Sequence, residues 1–250
     1  MESLVPRLGV VLTAVRDLRA ARSDDPVDLV VLRQTLHNPP REAGARSIAS
    51  SIQERFPDAA VIPYVWHLVS HGPQDGLWGE GTRTLAGEPQ RFGRLQDTPE
   101  VAAAWQITLQ IAGVFGASQV VLRTPPGLTP GAIGEARLRA FATARAAEGI
   151  ELLWESDGLW DEPTITRLTR ELGMYAIAPA LSATGRPPKK IPPRRWLRVD
   201  GLGGRRDLRA GPAEGLAMLL EAAEEPTTVL FAGPRAFENL RVFRRVLELG

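Results

Sequence analysis

The feature that most constrains the fold of this chain is a rhythm of eight short apolar or β-branched runs, at residues 8–14, 27–32, 60–65, 119–122, 150–154, 174–178, 196–199 and 227–231. Between most of them the apolar residues recur at helical spacing, as in Ala45, Ile48 and Ile52, or Ala236, Leu240, Phe243 and Leu247. Continuous apolar strands separated by amphipathic helices imply a parallel sheet covered on both faces. Eight such units imply an α/β fold, a single TIM-like (β/α)8 barrel. A length of 250 residues with 44% hydrophobic content suits one domain spanning residues 1–250.

Helix starts are marked in the sequence. Thr98-Pro99-Glu100 offers a hydroxyl cap and a proline at the first helical position ahead of Val101, Trp105, Leu109 and Ala112, and Gly116 closes the segment. Asp161 caps a helix predicted to end near Gly173. Two spacers break the pattern. Residues 67–96 are rich in Gly and polar residues and too long for a barrel connection, which is typical of a lid or binding loop. Residues 180–195 contain Arg186-Pro187-Pro188-Lys189-Lys190-Ile191-Pro192-Pro193-Arg194-Arg195, an irregular, Pro-rich connection in place of the helix after the sixth strand.

Composition removes several chemistries. There is no Cys, so disulfides, thiolate nucleophiles and iron–sulfur clusters are excluded. The only lysines are Lys189 and Lys190 and the only histidines are His37, His67 and His71, so no Schiff-base cofactor and no metal centre is expected. Thirty basic and 29 acidic residues nearly cancel, so attraction for a polyanion must come from local clustering. The apolar run from Leu8 is followed by Arg16, Asp17 and Arg19 without a small-residue cleavage site, which predicts a first strand in a cytoplasmic protein. No stretch approaches the ~20 apolar residues of a membrane span, so no membrane partner is expected.

The fifth run ends on Glu155, where an α/β barrel keeps its chemistry. Between Trp154 and Trp160 this carboxylate is a candidate acid or base; the alternative is a structural carboxylate paired with Arg198. His67 and His71, four apart, can complete a metal set with Glu155 or Asp157 only if their loop brings them to one side, and two loop histidines without metal are the simpler reading. Gly201, Gly203 and the Gly233-Pro234 turn occupy positions where barrels hold a phosphate on backbone amides, although Asp200 opposes an anion there. Residues 184–209 hold nine basic side chains, namely Arg186, Lys189, Lys190, Arg194, Arg195, Arg198, Arg205, Arg206 and Arg209, against Asp200 and Asp207. With Trp66, Trp78 and Trp160 on loops of the same face, this cluster suits a phosphate-containing ligand or nucleic acid; the competing reading is a solvated basic loop with the tryptophans in the core.

Several segments carry a resemblance: WHLVSH (66–71), FGRLQDTPEVAAAW (92–105), VVLRTPPGLTP (120–130), WESDGLW (154–160), WLRVDGLGG (196–204) and the segment at Phe231. In this order the chain resembles the YecE-like family, a domain of unknown function with a TIM-barrel-like fold. The resemblance implies that His71, Glu155, Arg198 and the Thr124-Pro125-Pro126 turn are retained, and that His71 and Glu155 are the catalytic candidates. It also implies losses. Val31 and Arg33 stand where an acidic residue and an Asn are usual, Tyr64 where a Lys is, Ala178 where an Asp is, Asp200 where a His is, and Ala232 and Gly233 where two Asn are. Glu155, His71 and Arg198 are expected to line one pocket at the strand ends. The reading that follows is a divergent YecE-like barrel binding a phosphate-containing ligand or nucleic acid. The alternatives are a non-catalytic scaffold, an endonuclease-four-like phosphodiesterase, and a carbohydrate-active hydrolase in which Asp157 or Asp200 faces Glu155. Oligomeric state is not legible.

Overall fold

The structure, a computed structural model, describes residues 5–79, 81–223 and 225–249. Its elements run β1 (Arg7–Leu12), a 3-10 helix (Val15–Ala20), β2 (Leu29–Leu32), α1 (Gln34–His37), α2 (Glu42–Arg55), β3 (Ala60–Pro63) and α3 (His67–Ser70). They continue with a second 3-10 turn (Pro89–Arg91), α4 (Pro99–Phe115), β4 (Gln119–Thr124), α5 (Ala132–Ala147), β5 (Glu151–Ser156) and α6 (Glu162–Leu172). The last are β6 (Tyr175–Pro179), β7 (Arg195–Val199), α7 (Ala210–Glu221), β8 (Thr228–Phe231) and α8 (Ala236–Leu249). The strands form one eight-stranded sheet in the order β3-β2-β1-β8-β7-β6-β5-β4. A parallel bridge between Tyr64 and Val121 joins the first strand of that order to the last, with the Val65 amide donating to the Val121 carbonyl at 2.9 Å. This is the α/β TIM-like barrel that the eight runs imply.

All eight predicted strands form, because each is mainly apolar and largely buried, with charges such as Arg123, Glu155 and Arg198 confined to one phase near the strand ends. Thr98 accepts from the Val101 amide at 3.3 Å and Asp161 from the Thr164 amide at 2.8 Å, while Gly116 and Gly173 take the left-handed conformation at the other ends of α4 and α6. As the prolines require, no helix forms in 180–194. One crossover departs further than expected: after β1 there is only a 3-10 helix. Its aspartates bind backbone instead of leaving it to a helix, Asp17 accepting from the amides of Thr13 and Ala14 at 2.9 Å each and Asp25 from Arg22 at 2.7 Å.

The chain divides into two compact units, residues 1–31, 51–60 and 177–250 forming one and residues 32–50 and 61–176 the other. In the second, strand alternation sends Val120, Leu122, Leu152 and Trp154 to the helices, where they pack with Trp105, Leu138, Phe141, Ile165 and Leu168. Val121, Arg123, Leu153 and Glu155 share the opposite face. In the first unit β1 approaches its neighbours so closely that a Cβ on Gly9 would meet the Leu29 side chain at 2.6 Å and Leu230 at 2.9 Å. Phe231 and Phe243 pack with centroids 5.7 Å apart, and Arg241 holds buried Asp25 at 2.7 Å.

The long segment 67–96 is tied down rather than loose. Backbone amides of Gly93, Arg94 and Leu95 donate to the carbonyls of Leu68, Ser70 and Val69, and Asn38 accepts from the amides of Thr82 and Arg83.

Candidate functional site

β4 and β5 run in register with Arg123 opposite Glu155, so both side chains leave the sheet on the same face. Glu155 lies inside β5 rather than just beyond it, since the strand runs two residues past Trp154, and it is 5% exposed. The Tyr64 hydroxyl donates to Glu155 Oε2 at 2.5 Å, and Arg123 Nε stands 3.6 Å from Oε1. Arg123 also donates to Asp157 at 2.8 Å. One guanidinium therefore serves two carboxylates, and an arginine partner of Glu155 is its strand neighbour. The tryptophans that flank Glu155 in the chain lie on the other side of the strand. Trp154 points to the helices, donates to Thr124 Oγ1 at 3.0 Å and meets Trp160 edge to face, so those rings do not desolvate the carboxylate.

His71 closes α3 in the same unit, is 3% exposed, and has Nδ1 2.8 Å from Ser70 Oγ. Burial, then the positive field of Arg123 and of the other two histidines, lowers its pKa to about 3 against an opposing pull from Glu155. Near neutral pH it is an uncharged imidazole. A group so far from operating pH is a poor proton donor or acceptor and serves as a hydrogen-bond partner. His67, also buried, has Nδ1 2.9 Å from the Leu36 carbonyl and packs edge to face on Trp78. Among the described residues no group of three or more His, Asp or Glu is placed to hold a metal ion.

In the other unit, a cavity of about 300 Å³ opens at the ends of β6 and β7, lined by Leu181, Ser182, Arg198, Asp200, Gly201, Gly203 and Arg206 among others. Arg198 Nε donates to Asp200 at 3.1 Å. The turn from Leu202 to Asp207 is closed by an antiparallel bridge, and Gly201 holds φ 74° with the Arg206 carbonyl where a Cβ would stand. Asn239 fixes this turn to α8 by accepting from the Leu208 amide at 2.8 Å and donating to the Arg206 carbonyl at 2.9 Å. Gly233, with φ 85°, leads into α8.

Like His67, three further residues expected to contact a ligand are buried in this structure. Trp66 is fully buried in the apolar cluster, Thr124 is fully buried beneath Trp154, and Arg195 is 4% exposed at the start of β7, outside any solvated basic face. Trp160 is buried and donates to the Leu128 carbonyl, and the partly buried Trp78 packs on Phe92 and donates to the His71 carbonyl. Arg186, Lys189, Lys190, Arg205, Arg206 and Arg209 are exposed, and Arg194 is half-buried. Tyr64, Ser70 and Arg123 were missed as site residues. The signal for Arg123 was its place in 120–124, a charge on the inward phase of an otherwise apolar strand.

No protein-family profile and no curated protein matches the chain. Solved structures do match its fold. A DUF72 family protein of Enterococcus faecalis V583 aligns over 98% of this chain and 96% of its own with a TM-score of 0.64 at 11% identity. DUF72 is the YecE-like family, so the resemblance read from sequence has a counterpart in the fold. A 3-keto-L-gulonate-6-phosphate decarboxylase of Vibrio cholerae aligns over 98% of both chains with a TM-score of 0.50 at 13% identity. KGPDC of Streptococcus mutans aligns over 98% of both with a TM-score of 0.51 at 14% identity. These likenesses establish a TIM-barrel fold. No helix among the described residues is long and apolar enough to cross a membrane.

Proposed function

We propose that the protein binds a phosphate-containing ligand at the ends of β6 and β7, and that the exposed basic segment extends this site to a nucleic acid. The observation that carries the reading is the cavity onto which Arg198 and Arg206 both open beside the glycine backbone of 201–203. Asp200 shares Arg198, so Arg206 is the stronger anion contact and Arg198 is fixed in place by its own ion pair. Arg186, Lys189 and Lys190 stand exposed on the preceding segment and can meet further phosphates. By its name, one protein of the same fold acts on a sugar phosphate, which agrees in ligand chemistry though it shows only the fold.

Binding of single-stranded or duplex nucleic acid should weaken steeply with salt, because each neutralised phosphate releases counterions. Replacing Arg186, Lys189 and Lys190 by Ala should flatten that slope by roughly 0.7 to 0.9 per contact, with little sequence preference. R198A/R206A should weaken both nucleic acid and inorganic phosphate. Absence of any salt-dependent binding by the wild type at low ionic strength would rule the reading out. A second reading, a non-catalytic scaffold, is favoured by the pairing of Glu155 with Tyr64 and Arg123 and by the uncharged His71, and that negative result would select it.

A further inference from the structure

We propose a second ligand site, a groove at the ends of β1 and β8 that takes a small anion with an apolar body. The groove encloses about 410 Å³, with Val11, Leu12 and Phe237 in its floor and Arg16 and Arg19 on its rim. The two arginines are three residues apart on the 3-10 helix Val15–Ala20, whose repeat of about three residues sets them on one side. Both are exposed, and neither makes an ion pair with a described residue. The acid between them, Asp17, turns its Oδ2 onto the amides of Thr13 and Ala14. Its charge is therefore directed at backbone donors and the guanidiniums are left to the groove. An apolar floor under a cationic rim is the inverse of the cavity beside Arg198, where Arg, Asp, Ser and glycine backbone line the space.

Size and charge define the occupant. At about 30 Å³ for each water-sized unit the space holds roughly a dozen non-hydrogen atoms, the size of a one- or two-ring aromatic or a medium acyl chain with one charged head. The head is a phosphate or carboxylate, because guanidinium meets both with paired donors. Charge supplies orientation, and the buried floor supplies the preference for an apolar body.

The test is calorimetric titration of the full chain with 1-naphthyl phosphate, inorganic phosphate and 1-naphthol. The aryl phosphate should bind at least tenfold tighter than either half-probe, and its binding should weaken as salt is raised. R16E/R19E should lower its affinity at least tenfold, and so should A20W, which fills the groove from its exposed rim. In R198A/R206A, which removes the phosphate site proposed above, the aryl phosphate should still bind, and adding R16E/R19E in that background should lower its affinity at least tenfold, which separates the two sites. Unchanged affinity in R16E/R19E and A20W overturns the inference, as does loss of binding in R198A/R206A alone, a result that would leave the Arg198 site standing.

Discussion

His71 is an imidazole whose burial has a measurable consequence at the residue scale. The unfolded chain takes up its proton near 6.5 and the folded protein only near 3. Because the folded pKa is depressed, the unfolded state binds more protons between these values. His71 therefore contributes fully to stability above about pH 6.5, and that contribution falls as pH drops towards 3, at up to about 1.4 kcal/mol per pH unit. In H71N, which can keep a hydrogen bond to Ser70 without titrating, urea midpoints should depend less steeply on pH between 6.5 and 4. An unchanged slope would show that His71 is not buried as described. Tyr64 is the second case. Its hydroxyl meets a carboxylate oxygen that water barely reaches, so Y64F should cost about 1 to 3 kcal/mol in denaturant unfolding, while an exposed tyrosine would cost next to nothing.

At the scale of elements, local chemistry decided what could be read. Thr98 caps α4 and also donates to the Arg91 carbonyl at 2.6 Å, so T98A should cost about 1 kcal/mol and T98S much less, by chemical denaturation. That cap was visible because hydroxyl, proline and acid stand in adjacent positions. The eight strands were visible for a similar reason, each being a short, mainly apolar run in which charged residues are few. The missing helix after β1 was not, because Val15 and Leu18 keep helical spacing and only the side-chain hydrogen bonds of Asp17 and Asp25 show that the backbone turns otherwise. The partners of Glu155 were hidden for a different reason. Tyr64 lies on β3's continuation and Arg123 on β4, and their meeting depends on barrel closure and on register, neither of which a single sequence states. Burial of Trp66 was likewise undetermined, since an aromatic after a strand suits a stacking platform and a core equally.

For the whole molecule, an alignment over 98% of the chain at only 11% identity shows that the same fold is reached with most side chains different. What must persist is the integrity of the strands, and the division into two units cuts through them. Leu29–Val31 of β2 belong to one unit and Leu32 to the other, β3 divides after Ala60, β6 divides after Ala176, and α2 divides after Ser50. A unit that unfolded alone would take part of three strands and one helix from its counterpart, so the two should lose structure together. The tryptophans make this testable. Trp66, Trp78, Trp105, Trp154 and Trp160 fall in the second unit and Trp196 in the first, so fluorescence reports mainly on one unit while far-UV circular dichroism reports on both. In urea the two signals should trace one transition with the same midpoint and slope. A fluorescence transition displaced from the dichroism would mean that the second unit folds independently of the first, and the cooperative account of the barrel would fail.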